Sequence, residues 1–166
     1  MKTPMRWMSL ACVLLFICAC QTERKYPAEW ISAAASAPSE RVLWSVALDA
    51  LQEQRFPVGA GADPATMVAL TGWRYSLAPF KGQGFRQRVR LRLESSEPGK
   101  YTIFLQVEKD TNEDLARPMD LRYAQWEEAA DDVDAANILL SKIQARVGNS
   151  LEVGEPRRGI RERVKN

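Results

Sequence analysis

The sequence predicts an α+β fold, a two-layer sandwich in which two helices lie on one face of an antiparallel sheet of three to four strands. Apolar residues recur at helical spacing in two segments, one beginning at Ser39 and one at about Gln125. Between these segments, residues 85–94 and 100–109 alternate apolar and polar side chains, which is typical of strands with one buried and one wetter face. The predicted order is therefore α-β-β-β-α within a single domain, residues 39–148.

The first predicted helix begins after Ser39, whose hydroxyl is favoured at helix N-caps, and Glu40 follows in the first turn. Pro57 disfavours helical geometry in the residue before it, so the helix is expected to end near Phe56. Its apolar stripe comprises Leu43, Val46, Ala47, Ala50 and Leu51.

Three extended segments are predicted between the helices. The first spans 66–77, and its alternate residues from Met67 to Leu77 are expected to share one face. In the second, 85–94, the apolar face comprises Val89, Leu91 and Leu93. In the third, 100–109, it comprises Tyr101, Ile103, Leu105 and Val107. The turn-rich sequence "SSEPG" separates the last two strands at hairpin length, which predicts antiparallel pairing.

The second helical pattern runs to Val147, and a break near Asp131 and Asp132 is left open. Its apolar stripe comprises Ala136, Leu139, Leu140, Ile143 and Val147. Gly148 is predicted to cap the C-terminus of this helix. The polar, unpatterned residues 149–166 are predicted to form a disordered basic tail.

The composition excludes many catalytic designs. The chain contains no histidine, which removes Ser-His-Asp and Cys-His catalysis, the HExxH zinc proteases and nearly all known zinc-site designs. The sequence "GAGAD" at 59–63 lacks the Lys-Ser/Thr that completes a phosphate-binding loop. We therefore expect a non-enzymatic protein without a cofactor.

The N-terminus has the organisation of a secretory signal peptide. Lys2 and Arg6 provide a basic start, and a mostly apolar stretch runs from Trp7 to Ala19. A helix that spans a bilayer needs about 20 apolar residues, and this stretch is shorter. A short apolar segment behind a basic start predicts export and removal of residues 1–19.

The end of this segment identifies a mode of membrane attachment. Ile17, Cys18, Ala19 and Cys20 resemble the lipobox of bacterial lipoproteins. The resemblance implies cleavage before Cys20, transfer of a diacylglycerol to its thiol, and acylation of the new amine by a fatty acid such as palmitate. An ordinary signal peptide with an incidental cysteine is the alternative. Gln21 replaces the Asp that favours inner-membrane retention in enterobacterial lipoproteins, which points to the outer membrane, facing the periplasm.

Cleavage would change the chemistry of the chain. Cys12 and Cys18 would leave with the signal peptide, so Cys20 would be the single remaining cysteine and no intramolecular disulfide could form. The loss of Lys2 and Arg6 leaves 23 − 2 = 21 basic residues against 21 acidic ones. A neutral mature chain gives no indication of nucleic-acid binding.

Residues 20–38 are predicted to be the lipidated cysteine and a loose tether. Ala, Ser and Pro dominate this segment and apolar periodicity is poor, which suits a flexible link between a lipid and a domain. Two alternatives stay open, in which Trp30 and Ile31 dock on the domain or lie at the membrane interface.

A second resemblance concerns the folded region. A helix, the sequence "RFPV", a turn, and a strand carrying "ALTGWRY" resemble small envelope lipoproteins of the BamC type, accessory proteins of the outer-membrane β-barrel assembly machinery. The resemblance implies a scaffold or adaptor role. We therefore expect a binding or scaffolding module with a protein partner in the cell envelope.

A row of arginines is the first candidate site. Alternate residues of a strand lie about 7 Å apart on one face, and this face comprises Arg86, Arg88, Arg90 and Arg92. Arginine binds phosphate and carboxylate groups in bidentate fashion. The row could therefore bind or carry a lipid or polyanion, such as lipopolysaccharide, acidic lipid or peptidoglycan. The alternative is a solvated face partly paired with Glu108.

Two other groups of residues are candidate sites. A cluster of acids could form a cation site or the acid/base pair of a hydrolase, because helical residues four apart share a face; a solvated helix start is the favoured explanation. This cluster comprises Glu127, Glu128, Asp131, Asp132 and Asp134. Trp73, Tyr75 and Phe85 flank the segment 78–84 and could form an aromatic rim for a glycan or peptide. Core packing is the favoured role of Trp73 and Tyr75.

Overall fold

The computed structural model describes residues 24–77 and 82–153, with side chains described as far as residue 148. The predicted signal peptide, the lipobox with Cys20, and residues 154–166 of the predicted tail lie outside the described residues. Most of the segment 78–84 between the candidate aromatic residues also lies outside them.

Two helices and a seven-stranded antiparallel sheet make up the described part of the chain, which confirms the α+β prediction. The sheet is larger than the three to four strands predicted. In chain order the elements are β1 (Ile31–Ser36), α1 (Glu40–Glu53), β2 (Ala62–Asp63), β3 (Val68–Leu70), β4 (Arg74–Ser76), β5 (Phe85–Glu97), β6 (Lys100–Asn112), β7 (Trp126–Glu128) and α2 (Val133–Val153).

The long hairpin of β5 and β6 forms the centre of the sheet. Its strands pair from Phe85 and Thr111 to the turn at Pro98 and Gly99, where Gly99 has a φ of 80°. Glycine adopts this left-handed backbone without the penalty that a Cβ atom brings. The sheet order is β1-β6-β5-β3-β2, with β4 also beside β5 and β7 also beside β6.

One hydrophobic core joins both helices to one face of this hairpin. Leu91 lies opposite Leu105, and both are fully buried. The first helix begins as predicted, because the Ser39 hydroxyl accepts a hydrogen bond from the Val42 amide at 3.3 Å. Residues of both predicted helical stripes enter the core: Leu43, Ala47, Ala50, Leu51, Ala136, Leu139, Leu140, Ile143 and Val147.

The predicted strand 66–77 is two strands, β3 and β4, that pair with the same partner. Leu70 lies opposite Arg90 and Arg74 lies opposite Gln87. Arg74 is four residues after Leu70, whereas Gln87 is three residues before Arg90, so this segment contains one extra residue relative to β5. An extra residue reverses the side-chain alternation. Tyr75 therefore faces away from the core and is 47% exposed, and the favoured core role of Tyr75 is wrong.

The predicted tether of residues 20–38 contains β1, which is a correction. β1 pairs with β6 from Ile31 opposite Leu105 to Ser36 opposite Lys100. Its alternate residues Ile31, Ala33 and Ala35 pack against the core. Alanine gives little hydrophobic contrast, and the strand is held by backbone pairing with its neighbour, which a local pattern does not reveal.

The second helix begins later than Gln125, which corrects another prediction. β7 pairs with the end of β6. Beyond β7 the chain continues along β6, because the Ala129 and Asp132 amides donate hydrogen bonds to the Lys109 and Val107 carbonyls. The helix begins at Val133, and the Asp132 carboxylate accepts from the Ala135 amide at 2.9 Å.

At its other end, α2 continues to Val153, so Gly148 lies within the helix and does not end it. The first five residues of the predicted tail, 149–153, therefore continue this helix. Neither helix of the described part of the chain combines the length and the apolar character needed to cross a membrane.

Candidate functional site

The arginine row lies on the sheet face opposite the helices, as the alternation of β5 predicts. Along the row the exposed fraction of the side chain rises from 23% at Arg86 to 48% at Arg92. Two of the row's neighbours on β6 are buried: Gln106 is fully buried and Glu108 is 4% exposed. We call this surface, from Trp30 on one side to Leu70 and Tyr75 on the other, the open face.

Acidic residues neutralise much of the row. Arg86 pairs with Asp110 at 2.7 Å, and Arg88 and Arg90 both contact Glu108, at 2.5 and 2.6 Å. The Arg90 contact is an ion pair without hydrogen-bond alignment, since its Nε has no aligned acceptor within the described residues. Arg92 pairs with the exposed Glu94, at 3.2 Å.

Aromatic rings pack between the arginines. The Trp73 ring lies 4.3 Å from the guanidinium carbon of Arg86 and 4.5 Å from that of Arg88. At the other end of the row, the guanidinium carbon of Arg92 lies 4.6 Å from the Phe104 ring. Such cation–π contacts hold the guanidinium groups in defined positions. Trp73 thus lies among the arginines and not in the core, which corrects its favoured assignment.

Exposed apolar side chains border the row. Val68 lies opposite Arg92 and Leu70 opposite Arg90, so both share the face of the arginines. They are 41% and 37% exposed, and Trp30 is 43% exposed. The packing contacts of both described helices are made on the opposite side, with the core.

The aromatic residues of the candidate rim do not lie together. Tyr75 lies on the open face, with its ring 5.8 Å from that of Trp126. Phe85 pairs with Thr111 and, by strand alternation, points to the opposite face. The structure therefore gives no aromatic rim made of Trp73, Tyr75 and Phe85.

The acid cluster holds the N-terminal segment to the sheet. Asp131 is buried and accepts hydrogen bonds from Arg24 at 2.9 Å, Gln106 at 2.7 Å and the Glu29 amide at 2.8 Å. We call these contacts of residues 24–29 with 127–131 the N-terminal latch. No local pattern predicts this latch, because its partners lie 102 to 107 residues apart.

Neighbouring acids complete the latch. Glu128 accepts from the Lys25 amide at 3.0 Å and from Arg24 at 2.9 Å. These contacts, the backbone hydrogen bond first, hold the pKa of Glu128 below its usual range. Glu127 pairs with the Lys25 ammonium. Within residues 24–77 and 82–153 no group of acids or cysteines is arranged to hold a metal ion.

A second buried polar group lies beside the start of α2. Arg74 donates to the Gln87 side chain and to the Gln54 carbonyl, and Gln87 donates to Asp132 at 2.6 Å. Burial lowers the pKa of Arg74 from its usual value. Asp132 also caps α2, so its hydrogen bond with Gln87 ties the start of this helix to the sheet. Both contacts occupy the Asp132 carboxylate.

No protein-family model matches the chain, and no curated protein matches it. The open face offers exposed aliphatic and aromatic groups around arginines that are already paired.

Anion binding by the row is the alternative to a paired, solvated face, and the two can be distinguished at its exposed end. The double substitution Arg90→Gln and Arg92→Gln leaves Arg88 paired with the buried Glu108, so the fold should persist. We expect binding to lipopolysaccharide to change by less than about threefold at physiological salt, because paired, screened charges contribute little. Saturable, salt-sensitive binding that the double substitution abolishes would show instead that the row is a polyanion site.

Proposed function

We propose that this protein is a lipid-anchored, non-enzymatic module of the bacterial cell envelope that binds a protein partner through its open face. The composition of that face carries the proposal. Tryptophan, tyrosine and arginine dominate the energetics of protein interfaces, and here they share one face of the sheet with two exposed aliphatic residues, Val68 and Leu70.

The state of the arginines favours a protein over a polyanion as the ligand. Glu108 and Asp110 together contact three of the four guanidinium groups. A polyanion would have to compete with these carboxylates, which lie at ion-pair distance. A protein surface can instead bury the rings and the aliphatic groups while the ion pairs stay intact.

The lipobox supports the attachment. The described chain begins at Arg24, four residues after Cys20, and is held from there by the N-terminal latch. A lipid on Cys20 would thus place the domain close to the bilayer surface, because an extended residue spans at most about 3.6 Å. The outer membrane, facing the periplasm, is the proposed location, because Gln21 replaces the Asp that favours inner-membrane retention in enterobacterial lipoproteins.

A hydrolase is not supported by the acids. Asp131 and Glu128 accept hydrogen bonds from Arg24 and from backbone amides, and Asp132 caps a helix and accepts from Gln87. A paired catalyst needs a carboxyl group that is free to exchange a proton with substrate. These carboxylates serve the fold.

Cys20→Ser is expected to abolish the attachment. Without the thiol, no diacylglycerol can be added, so metabolic labelling with a radioactive fatty acid should be lost and an uncleaved precursor should accumulate. Cys18→Ala is the control and should be processed normally, since a small residue suits that position. Fatty-acid labelling that persists in Cys20→Ser would overturn the proposed anchor.

A further inference from the structure

A loop beside the start of the described chain carries large apolar side chains that are not among the core residues. Residues 113–125 connect β6 to β7 and close on themselves, since the Glu113 amide donates to the Gln125 carbonyl at 2.8 Å. Four large apolar side chains of this loop face outward, with exposed fractions of 76%, 59%, 48% and 45%: Leu115, Met119, Leu121 and Tyr123.

Polar residues fill the interior of this loop. Asn112 is 1% exposed, and its side-chain oxygen accepts from the amides of Asp114 and Gln125 at 3.1 and 3.0 Å. Asp114 is 7% exposed and accepts from the amides of Ala116 and Arg117 at 2.9 and 3.0 Å. Asn112 and Asp114 thus hold the loop backbone from the inside, while its large apolar side chains stay exposed. A group of exposed large apolar side chains marks a contact with a membrane or with another protein.

The charged groups of the loop are internally paired. Arg122 pairs with Asp120 through both Nε and Nη2, at 3.0 and 2.8 Å. Arg117 lies 3.7 Å from Asp114, with its guanidinium carbon 3.5 Å from the centre of the Tyr123 ring. Paired charges and a tyrosine are compatible with the interface between lipid headgroups and acyl chains.

The loop lies beside the start of the described chain. The loop leads directly into β7, and the described chain begins against the same strand, where Arg24 and Lys25 contact Glu128 and Glu127. Only three residues separate Arg24 from Cys20. A lipid on Cys20 would therefore bring the bilayer surface next to the loop.

We propose that Leu115, Met119, Leu121 and Tyr123 insert into the membrane leaflet that holds the lipid anchor, as a second contact that fixes the orientation of the domain. This inference rests on the proposed lipid anchor. The lipid chain alone would leave the domain free to rotate, whereas insertion of the loop beside it defines which surfaces face the periplasm.

The test places a nitroxide label at Leu121→Cys in the mature lipidated chain, reconstituted in vesicles of phosphatidylethanolamine and phosphatidylglycerol. Acylation of Cys20 would leave the introduced thiol as the only free one. Met119→Cys is the second variant. Ile138→Cys, at a 57% exposed apolar position of α2, is the matched control. Spin relaxation by oxygen, which concentrates in lipid, is compared with relaxation by a water-soluble nickel chelate.

We expect at least a fivefold higher oxygen-to-nickel accessibility ratio at positions 121 and 119 than at position 138. Equal ratios would overturn the inference, and so would a loop label that is water-exposed in vesicles and protected only in native envelopes, since a protein would then be its partner. The mass of the N-terminal peptide reports acylation separately. An acylated chain with a water-exposed loop contradicts the loop inference alone, whereas a chain without acyl groups contradicts the anchor.

Discussion

Asp131→Ala is expected to lower the free energy of unfolding by about 3 kcal/mol, the low end of the range for breaking a buried ion pair. The substitution leaves the fully buried Gln106 side chain and the Glu29 amide without their acceptor. Arg24 retains Glu128 and is partly exposed, so its share of the loss is smaller. Urea denaturation followed by tryptophan fluorescence measures the effect.

Asp134→Ala is the control for this experiment. Asp134 is exposed in the first turn of α2, so its removal should cost less than about 1 kcal/mol through the helix dipole. Equal destabilisation by the two substitutions would show that Asp131 does not fasten residues 24–29 to the sheet.

Ala33→Asp is expected to destabilise the protein by about 2 to 3 kcal/mol, because it brings a charge to the side of β1 that packs against the core. Ala34→Asp changes an identical residue one position on, whose side chain is exposed. Its cost should stay within about 0.5 kcal/mol. The comparison is internal, since both variants add the same charge to the same strand.

Thermal unfolding of the two alanine variants distinguishes a strand from a tether. A tether would tolerate both substitutions equally, since neither side chain would contact the domain. Two unchanged melting temperatures would therefore contradict the pairing of β1 with β6.

The parts of the fold that strong periodicity specifies could be predicted from the sequence. Val89, Leu91 and Leu93 alternate with charged residues, so β5 and its buried face follow from the pattern. The helix start at Ser39 follows from local capping chemistry. Both features depend on residues that are neighbours in the chain.

The remaining elements depend on distant partners. The small residues of β1 carry no clear apolar pattern. The three residues of β7, Trp126–Glu128, are too few for a periodic pattern to show whether they form a strand or the start of a helix. The extra residue between Leu70 and Arg74 decides which face Tyr75 occupies, and only pairing with β5 reveals it. The arginine row was therefore predictable, whereas the aliphatic and aromatic residues around it on the open face were not.

A photoreactive amino acid at Leu70 tests the proposed function most directly. The same residue at position 138 of α2 provides the control, because Ile138 is exposed on an element that packs against the opposite face of the sheet. After irradiation of intact cells, we predict a discrete protein adduct from position 70, absent from position 138 and suppressed by Val68→Asp. No adduct from position 70, or the same adducts from both positions, would contradict the assignment of the open face as the partner-binding surface.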